Sequence, residues 1–115
     1  MSDKLTVEQF FEDLETNEEF KYFVHFTNQF KKNVKLSFKR NLDLKLLKDV
    51  ILILAIGEKL NEKYCLHKLN NYNKLQENQV VMECHIQPDW LLVWIQNDTE
   101  LTLLLTDTGT HSDLF

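Results

Sequence analysis

The period of the hydrophobic pattern differs between the middle of this chain and its C-terminal part, and that difference restricts the fold more than any other feature. Between residues 28 and 57 apolar residues recur at helical spacing; from residue 79 onward they come in short β-rich runs. Phe30, Val34 and Phe38 stand in i, i+4, i+8 register behind a Thr27 or Asn28 cap, which predicts a helix to about residue 38. Asp43 caps a second helix, with Leu42 and Leu47 in staple positions. Leu44, Leu47, Val50, Ile51 and Leu54 make its buried stripe, and Gly57 suits its C-terminal stop. Ahead of the helices, Phe20 to Phe26 is rich in aromatic and β-branched residues and reads as a strand. The runs 79–86, 90–95 and 101–106 have short connections, Gln87-Pro88-Asp89 and residues 96–100, which favour an antiparallel meander. The polar, Asn-rich stretch 58–78 reads as a loop. Helices followed by strands indicate the α+β class: an N-terminal strand and a helical hairpin packed on an antiparallel sheet.

The chain has 115 residues, enough for one domain with a real core. Two glycines and one proline argue against a turn-rich barrel or sandwich and against a Gly-rich phosphate loop. A 43% hydrophobic content excludes disorder of the whole chain. Cys65 and Cys84 are too few for a disulfide framework and fit a reducing compartment. The longest apolar run, Val50 to Ile56, falls far short of the ~18 residues of a membrane span, so no membrane partner is expected. The Met-Ser-Asp-Lys start is unlike a signal peptide, and a cytoplasmic location is the expectation.

The net charge of −5 hides a division. Residues 1–20 carry Lys4 against Asp3, Glu8, Glu12, Asp13, Glu15, Glu18 and Glu19, a balance of −6. Residues 21–48 carry Lys21, Lys31, Lys32, Lys35, Lys39, Arg40, Lys45 and Lys48 against Asp43 alone, a balance of +7. Such asymmetry points to an anionic partner for the basic part, while charge alone fits a solvated lysine-rich helix face at least as well. Within the acidic head, Thr6-Val-Glu-Gln9 has capping-box form with Leu5 and Phe10 as its staple. Val7, Phe10, Phe11 and Leu14 follow at helical spacing, so 7–16 reads as an amphipathic helix. The expected organisation is an acidic extension, 1–19, packed on a domain spanning 20–115.

Chemistry gathers in the C-terminal half, at His67, His85 and His111. Glu83 and His85 are two apart on one predicted strand and share a face. Asp89 follows in the turn, and Asp107 and Asp113 flank His111. Two readings compete. Cys65-Leu-His67 and Cys84-His85 offer metal ligands, but neighbours on a strand point to opposite faces and no CxxC or HxxxH spacing is present. General acid–base chemistry suits histidines and carboxylates near one end of a sheet. Trp90 and Trp94 share a strand face and read as core.

The stretch Glu83-Cys-His85-Ile-Gln-Pro88-Asp89-Trp90-Leu-Leu-Val-Trp94 resembles the [DE]-x-H-x-x-P-D-W-[LI]-L-[IV]-Y block of the YafQ family of bacterial toxins, in the RelE/ParE superfamily. Thr108-Gly-Thr-His111-Ser-Asp-Leu-Phe115 resembles that family's TG[ST]H-x-x-LF ending. Gln29-Phe-Lys-Lys32 and Leu46-Leu-Lys-Asp-Val50 are similar to its helical hairpin, and Leu60 to Leu69 to the segment that joins hairpin to sheet. The resemblance covers about residues 20–115. It implies a RelE-like fold, preceded here by the acidic helix as an extra element. It also implies an mRNA interferase of a type II toxin–antitoxin module, a ribosome-dependent endoribonuclease that cleaves at the 2′-OH without metal or cofactor. The implied partners are an acidic antitoxin that folds on binding and a ribosome carrying mRNA, with no DNA target of its own. The family's functional positions fall on His67, Glu83, His85, Asp89, His111 and Phe115. His85 and His111 are the expected proton-transfer pair, with His67 close to the scissile phosphate and Glu83 and Asp89 orienting imidazoles or acting as a base. Phe115 either stacks on a base or plugs the sheet. Lys31, Lys32, Lys35, Lys39, Arg40, Lys45 and Lys48 are the expected RNA- and ribosome-binding set.

Two departures matter. Met82 and Asp107 stand where the family usually has arginines, and both changes remove positive charge that a phosphorane needs. The segment 69–82 is also longer than in most members. The alternative is therefore a catalytically weakened member that acts as an antitoxin- or RNA-binding module. A gyrase-poisoning relative is disfavoured by the full histidine set.

Overall fold

The computed structural model describes residues 4–15, 19–69 and 78–115. Helix α1 spans Val7–Glu15, strand β1 Phe23–Phe26, helix α2 Asn28–Lys39 and helix α3 Leu44–Ala55. A 3-10 turn at Glu62–Tyr64 leads to the two-residue strand β2, His67–Lys68. Strands β3 (Gln79–Gln87), β4 (Trp90–Asn97) and β5 (Thr102–Gly109) follow, and a last turn of helix, α4, covers His111–Leu114. The five strands form one sheet in the order β1-β5-β4-β3-β2. β1 runs parallel to β5, and every other pairing is antiparallel. The α+β arrangement of hairpin and antiparallel sheet is thus present.

Local chemistry explains the boundaries. The Thr27 hydroxyl accepts from the Phe30 N–H at 3.0 Å, capping α2, and donates to the Thr106 carbonyl at 2.9 Å, which ties the start of that helix to β5. Asp43 caps α3 through the Lys45 N–H. At the other end Gly57, with φ of +80°, donates to Leu54, and Glu58 donates to Ile53, so a full Schellman motif closes the helix. The positive φ is what calls for glycine at 57, while a Cβ there would only push aside the flexible Lys21 side chain, 2.6 Å away.

Three expectations are revised. The stretch 58–78 is not loop throughout: it holds the 3-10 turn and β2, although residues 70–77 lie outside the described residues. β2 has two exposed residues and no amphipathic alternation, so nothing local marks it as strand. The first strand is shorter than 20–26, because the Lys21 and Tyr22 N–H groups both donate to the Ala55 carbonyl at the end of α3. The last strand continues to Gly109, three residues past its expected end at 106.

Alternation gives the sheet two unlike faces. Cys84, Trp90, Leu92, Trp94, Leu103 and Leu105 meet Phe30, Val34, Leu47 and Ile51 of the helices in a single buried cluster. Trp90 and Trp94 are core residues, 2% and 0% exposed. Helix α1 joins the same cluster through Phe10 and Leu14, and Phe11 sets its ring edge-on to Phe26 with centroids 4.9 Å apart. Asp13 pairs with Lys48 at 3.0 Å. Because Phe10 is fully buried, Phe10→Ala is expected to cost about 3–5 kcal/mol, read as a fall in the urea midpoint with an unchanged m-value.

Candidate active site

Strand pairing brings three of the expected groups together. β2 pairs with β3 so that His67 lies opposite Glu83, and Glu83 and His85 project from the same face of β3. His67 Nε2 stands 3.1 Å from Glu83 Oε1, and His85 Nε2 stands 3.9 Å from the same oxygen. Glu83 is only 5% exposed, so one buried carboxylate faces two imidazoles. His67 Nδ1 is 2.8 Å from the Cys65 carbonyl, which can only accept. Both nitrogens of the His67 ring thus face acceptors, Nδ1 the Cys65 carbonyl and Nε2 the Glu83 carboxylate.

The remaining groups arrive from the turn after β3 and from α4. β3 bulges at Ile86, between the His85–Leu91 and Gln87–Trp90 pairs, and leads into Pro88 and Asp89. Asp89 Oδ1 accepts from the His111 backbone N–H at 3.0 Å and from His111 Nδ1 at 2.7 Å. These two bonds, the backbone one first, hold the Asp89 carboxyl below the usual carboxylate range. With Nδ1–H donating to a carboxylate, Nε2 is the free position of His111. The His85 ring lies 5.6 Å from that of His111 and 6.5 Å from that of His67. The result is a continuous array: His67, Glu83, His85, His111, Asp89.

A second network, unseen in the sequence, holds α4 in place. Thr110 and Asp113 form a reciprocal capping box. Arg40, at the end of α2, donates to Asp113 at 2.7 Å, and this contact with the Thr110 bonds pushes the Asp113 carboxyl down to about 2. Asn33 accepts from the Thr108 N–H, and the Thr108 hydroxyl accepts from Trp90 Nε1 at 2.9 Å. The sequence marked Asp113 as a carboxylate flanking His111 and Arg40 as an RNA contact, but not their pairing.

Other expected residues are placed differently. Phe115 follows α4 and is 65% exposed, which does not fit a plug on the sheet. Arg40 is committed to Asp113 and Lys48 to Asp13. Lys31, Lys35 and Lys39 line one exposed stripe of α2 at i, i+4, i+8, and Lys32 and Lys45 are exposed. Met82 packs against the helix-covered core, so position 82 does not face the imidazoles. Asp107 does belong to their face: His67, Glu83, Val93 and Asp107 are successive cross-strand partners in one row. Burial raises the Asp107 carboxyl, partly offset by the Thr106 side chain. Cys84 points into the core, where burial lifts its thiol to about 12, while Cys65 is exposed. Among the described residues no group of three or more His, Cys, Asp or Glu side chains is arranged to hold a metal ion.

The chain is similar in sequence and fold to known proteins. A sequence model of the family described as "Bacterial toxin of type II toxin-antitoxin system, YafQ" matches residues 22–115. The "mRNA interferase toxin YafQ" of Escherichia coli (strain B / BL21-DE3) is 31% identical over 93 residues, 80% of this chain and 94% of that one. A metal-bound toxin from Helicobacter pylori superposes with a TM-score of 0.71 at 38% identity, over 80% of this chain and 97% of its own. The E. coli DinJ-YafQ toxin-antitoxin complex gives a TM-score of 0.70 at 29% identity, over 83% and 98%.

The raised Asp107 carboxyl has a consequence for stability. Folding disfavours its ionised form, so its contribution falls as pH rises through the unfolded value of about 3.9 towards the higher folded value. Asp107→Asn is expected to melt at or near the wild-type temperature at pH 3 and above it at pH 7. An equal offset at both pH values would contradict this.

Proposed function

The chain belongs to the YafQ family of bacterial toxins of type II toxin–antitoxin systems, and we propose that it is an mRNA interferase, an endoribonuclease acting on mRNA in the ribosome. The observation that supports this best is the His67–Glu83–His85–His111–Asp89 array, in which three imidazoles and two carboxylates meet at one end of the sheet.

In the proposed reaction the 2′-oxygen attacks the adjacent phosphorus and the 5′-oxygen leaves, giving a 2′,3′-cyclic phosphate and a 5′-hydroxyl. His111 is the base: Asp89 holds its Nδ1 proton, which leaves Nε2 to take the 2′-OH proton. His85, beside the Glu83 carboxylate, carries the proton that goes to the leaving oxygen. His67, whose two nitrogens face the Cys65 carbonyl and Glu83, orients the Glu83 carboxylate beside His85, close to the scissile phosphate. Phe115, exposed beside His111, offers a ring to a splayed base. The exposed lysines of α2 and Lys45 contact RNA phosphates, which makes binding salt-dependent. Imidazoles fill both proton roles, so no metal ion is assigned a step. The cytoplasm, where ribosomes and mRNA meet, is the proposed location.

Asp107 favours a second reading. Its carboxyl lies in the same cross-strand row as His67 and Glu83, where added negative charge opposes a phosphorane. A weakened member would keep the antitoxin-binding role without efficient cleavage.

Induction in cells with mapping of mRNA 5′ ends distinguishes the two. Cleavage with growth arrest is expected; intact mRNA together with antitoxin binding would establish the weakened form. His85→Ala and His111→Ala are each expected to lower cleavage by ~10²–10⁴-fold while the thermal transition persists. Chelators are expected to leave the rate unchanged, and dependence on added metal would overturn the assignment. Co-expression with an acidic antitoxin encoded beside the toxin is expected to yield a copurifying complex. No association at moderate salt would exclude the module.

A further inference from the structure

His85 borders a second space that the proton-transfer scheme does not use. A cavity of about 530 Å³ opens between the start of α3, the 3-10 turn and the end of β3. Its size falls in the ~300–1,000 Å³ range of small-molecule sites. Leu46, Tyr64 and Pro88 give it apolar and aromatic walls, Lys63 puts an ammonium group at the wall, and His85 is common to the cavity and the array. Leu46 is 38% exposed although it lies on an otherwise well-packed helix. The Lys63 Nζ lies 5.1 Å from the centre of the Tyr64 ring, so cation and aromatic face form one unit.

We propose that this cavity is a subsite for one RNA nucleobase flanking the scissile phosphate, stacked on Tyr64 with its phosphate near Lys63. The inference rests on the endoribonuclease reading above and adds a specificity site to it. Three features select a nucleobase. Tyr64 packs against the core and the Lys63 ammonium lies over its ring, so a flat base takes the ring face when Lys63 turns to the phosphate. The adjoining cation matches the phosphate that every nucleotide carries. Continuity through His85 places the occupant next to the reacting phosphate, where the neighbouring nucleotide of a bound strand has to go. The occupant therefore touches a wall of the site that no residue of the proton-transfer scheme other than His85 shares.

Cys65 provides a readout independent of cleavage. It lines the same cavity and is exposed, whereas Cys84 is buried with a thiol raised to about 12. Alkylation of Cys65 thus reports whether the cavity is filled. The experiment follows Cys65 alkylation by mass spectrometry on ribosomes programmed with mRNA 2′-O-methylated at the cleavage site, alongside 5′-end mapping on unmodified mRNA. Bound mRNA is expected to slow alkylation of the wild type. Leu46→Glu, which puts a carboxylate on an exposed helix position in the cavity, is expected to lose that protection. Tyr64→Ala is expected to lower cleavage by roughly five- to 150-fold, the worth of one base–aromatic stack, and to alter the nucleotide bias beside the cut. Tyr64→Phe, which keeps the ring, is expected to retain Cys65 protection and to lose less cleavage than Tyr64→Ala. If the wild type cleaves, but Cys65 is not protected and Leu46→Glu cuts at the same positions and rate, the subsite is wrong and the endoribonuclease reading stands. If the wild type cleaves nothing, that reading fails; protection of Cys65 that Leu46→Glu abolishes would then still establish the subsite as an RNA-binding one, and no protection would remove both.

Discussion

The register of the β3–β4 hairpin governs everything else in this molecule. Glu83 pairs with Val93 and Cys84 with Leu92, so that one face of the hairpin is dry and the other carries the carboxylate and His85. A slip of one residue would turn Glu83 and His85 into the helix-packed core and bring Cys84 out. The apolar cost of that inversion, with Trp90, Leu92 and Trp94 leaving the core together, fixes the register far more firmly than any polar contact at the site does. The imidazoles are therefore held in place by the hydrophobic residues behind them. Their array keeps its geometry because the opposite side of the same strands has no alternative packing.

That dependence explains what could be read from the sequence. Glu83 and His85 were legible as a pair because a strand has a period of two, and the caps at Thr27, Asp43 and Gly57 were legible because capping is chemistry within a few residues. The pairing of β1 with β5 was not, since nothing in Phe23–Phe26 names a partner 79 residues away. The meeting of His67 with Glu83, and of His111 with Asp89, is likewise long-range; residue patterns marked the four side chains, and only family resemblance joined them. Position 82 misled because the family motif was read without the strand's period of two, which sets residue 82 on the face opposite Glu83 and His85. Met82 looked like a missing arginine at the site but belongs to the core, whereas Asp107 lies on the site's own face across a strand whose register shifts between Val93 and Trp94.

The divided charge of the chain also resolves into separate uses. Lys48 is neutralised by Asp13 of α1, and Arg40 by Asp113 of α4, so two of the basic residues act as fasteners for helices. The Asp113 carboxyl, held at about 2, keeps that second fastening charged down to strongly acidic pH. The stripe on α2 stays exposed. The acidic helix contributes chiefly by burying Phe10 and Leu14, and its own charges reach the basic stretch at Lys48.

The parallel union of β1 with β5 also sets an order of events during folding. Its partners, Phe23 with Thr102 through Phe26 with Leu105, close the longest loop among the sheet pairings, and so large a closure comes late in entropic terms. The β3–β4 hairpin needs only a local turn, so Glu83 and His85 take their places early. His111 follows β5 directly and reaches Asp89 only when that strand has been laid down. A partly folded chain can thus own one half of the proton pair without the other. The pair is complete once the local β4–β5 hairpin has formed, ahead of the long closure that adds β1.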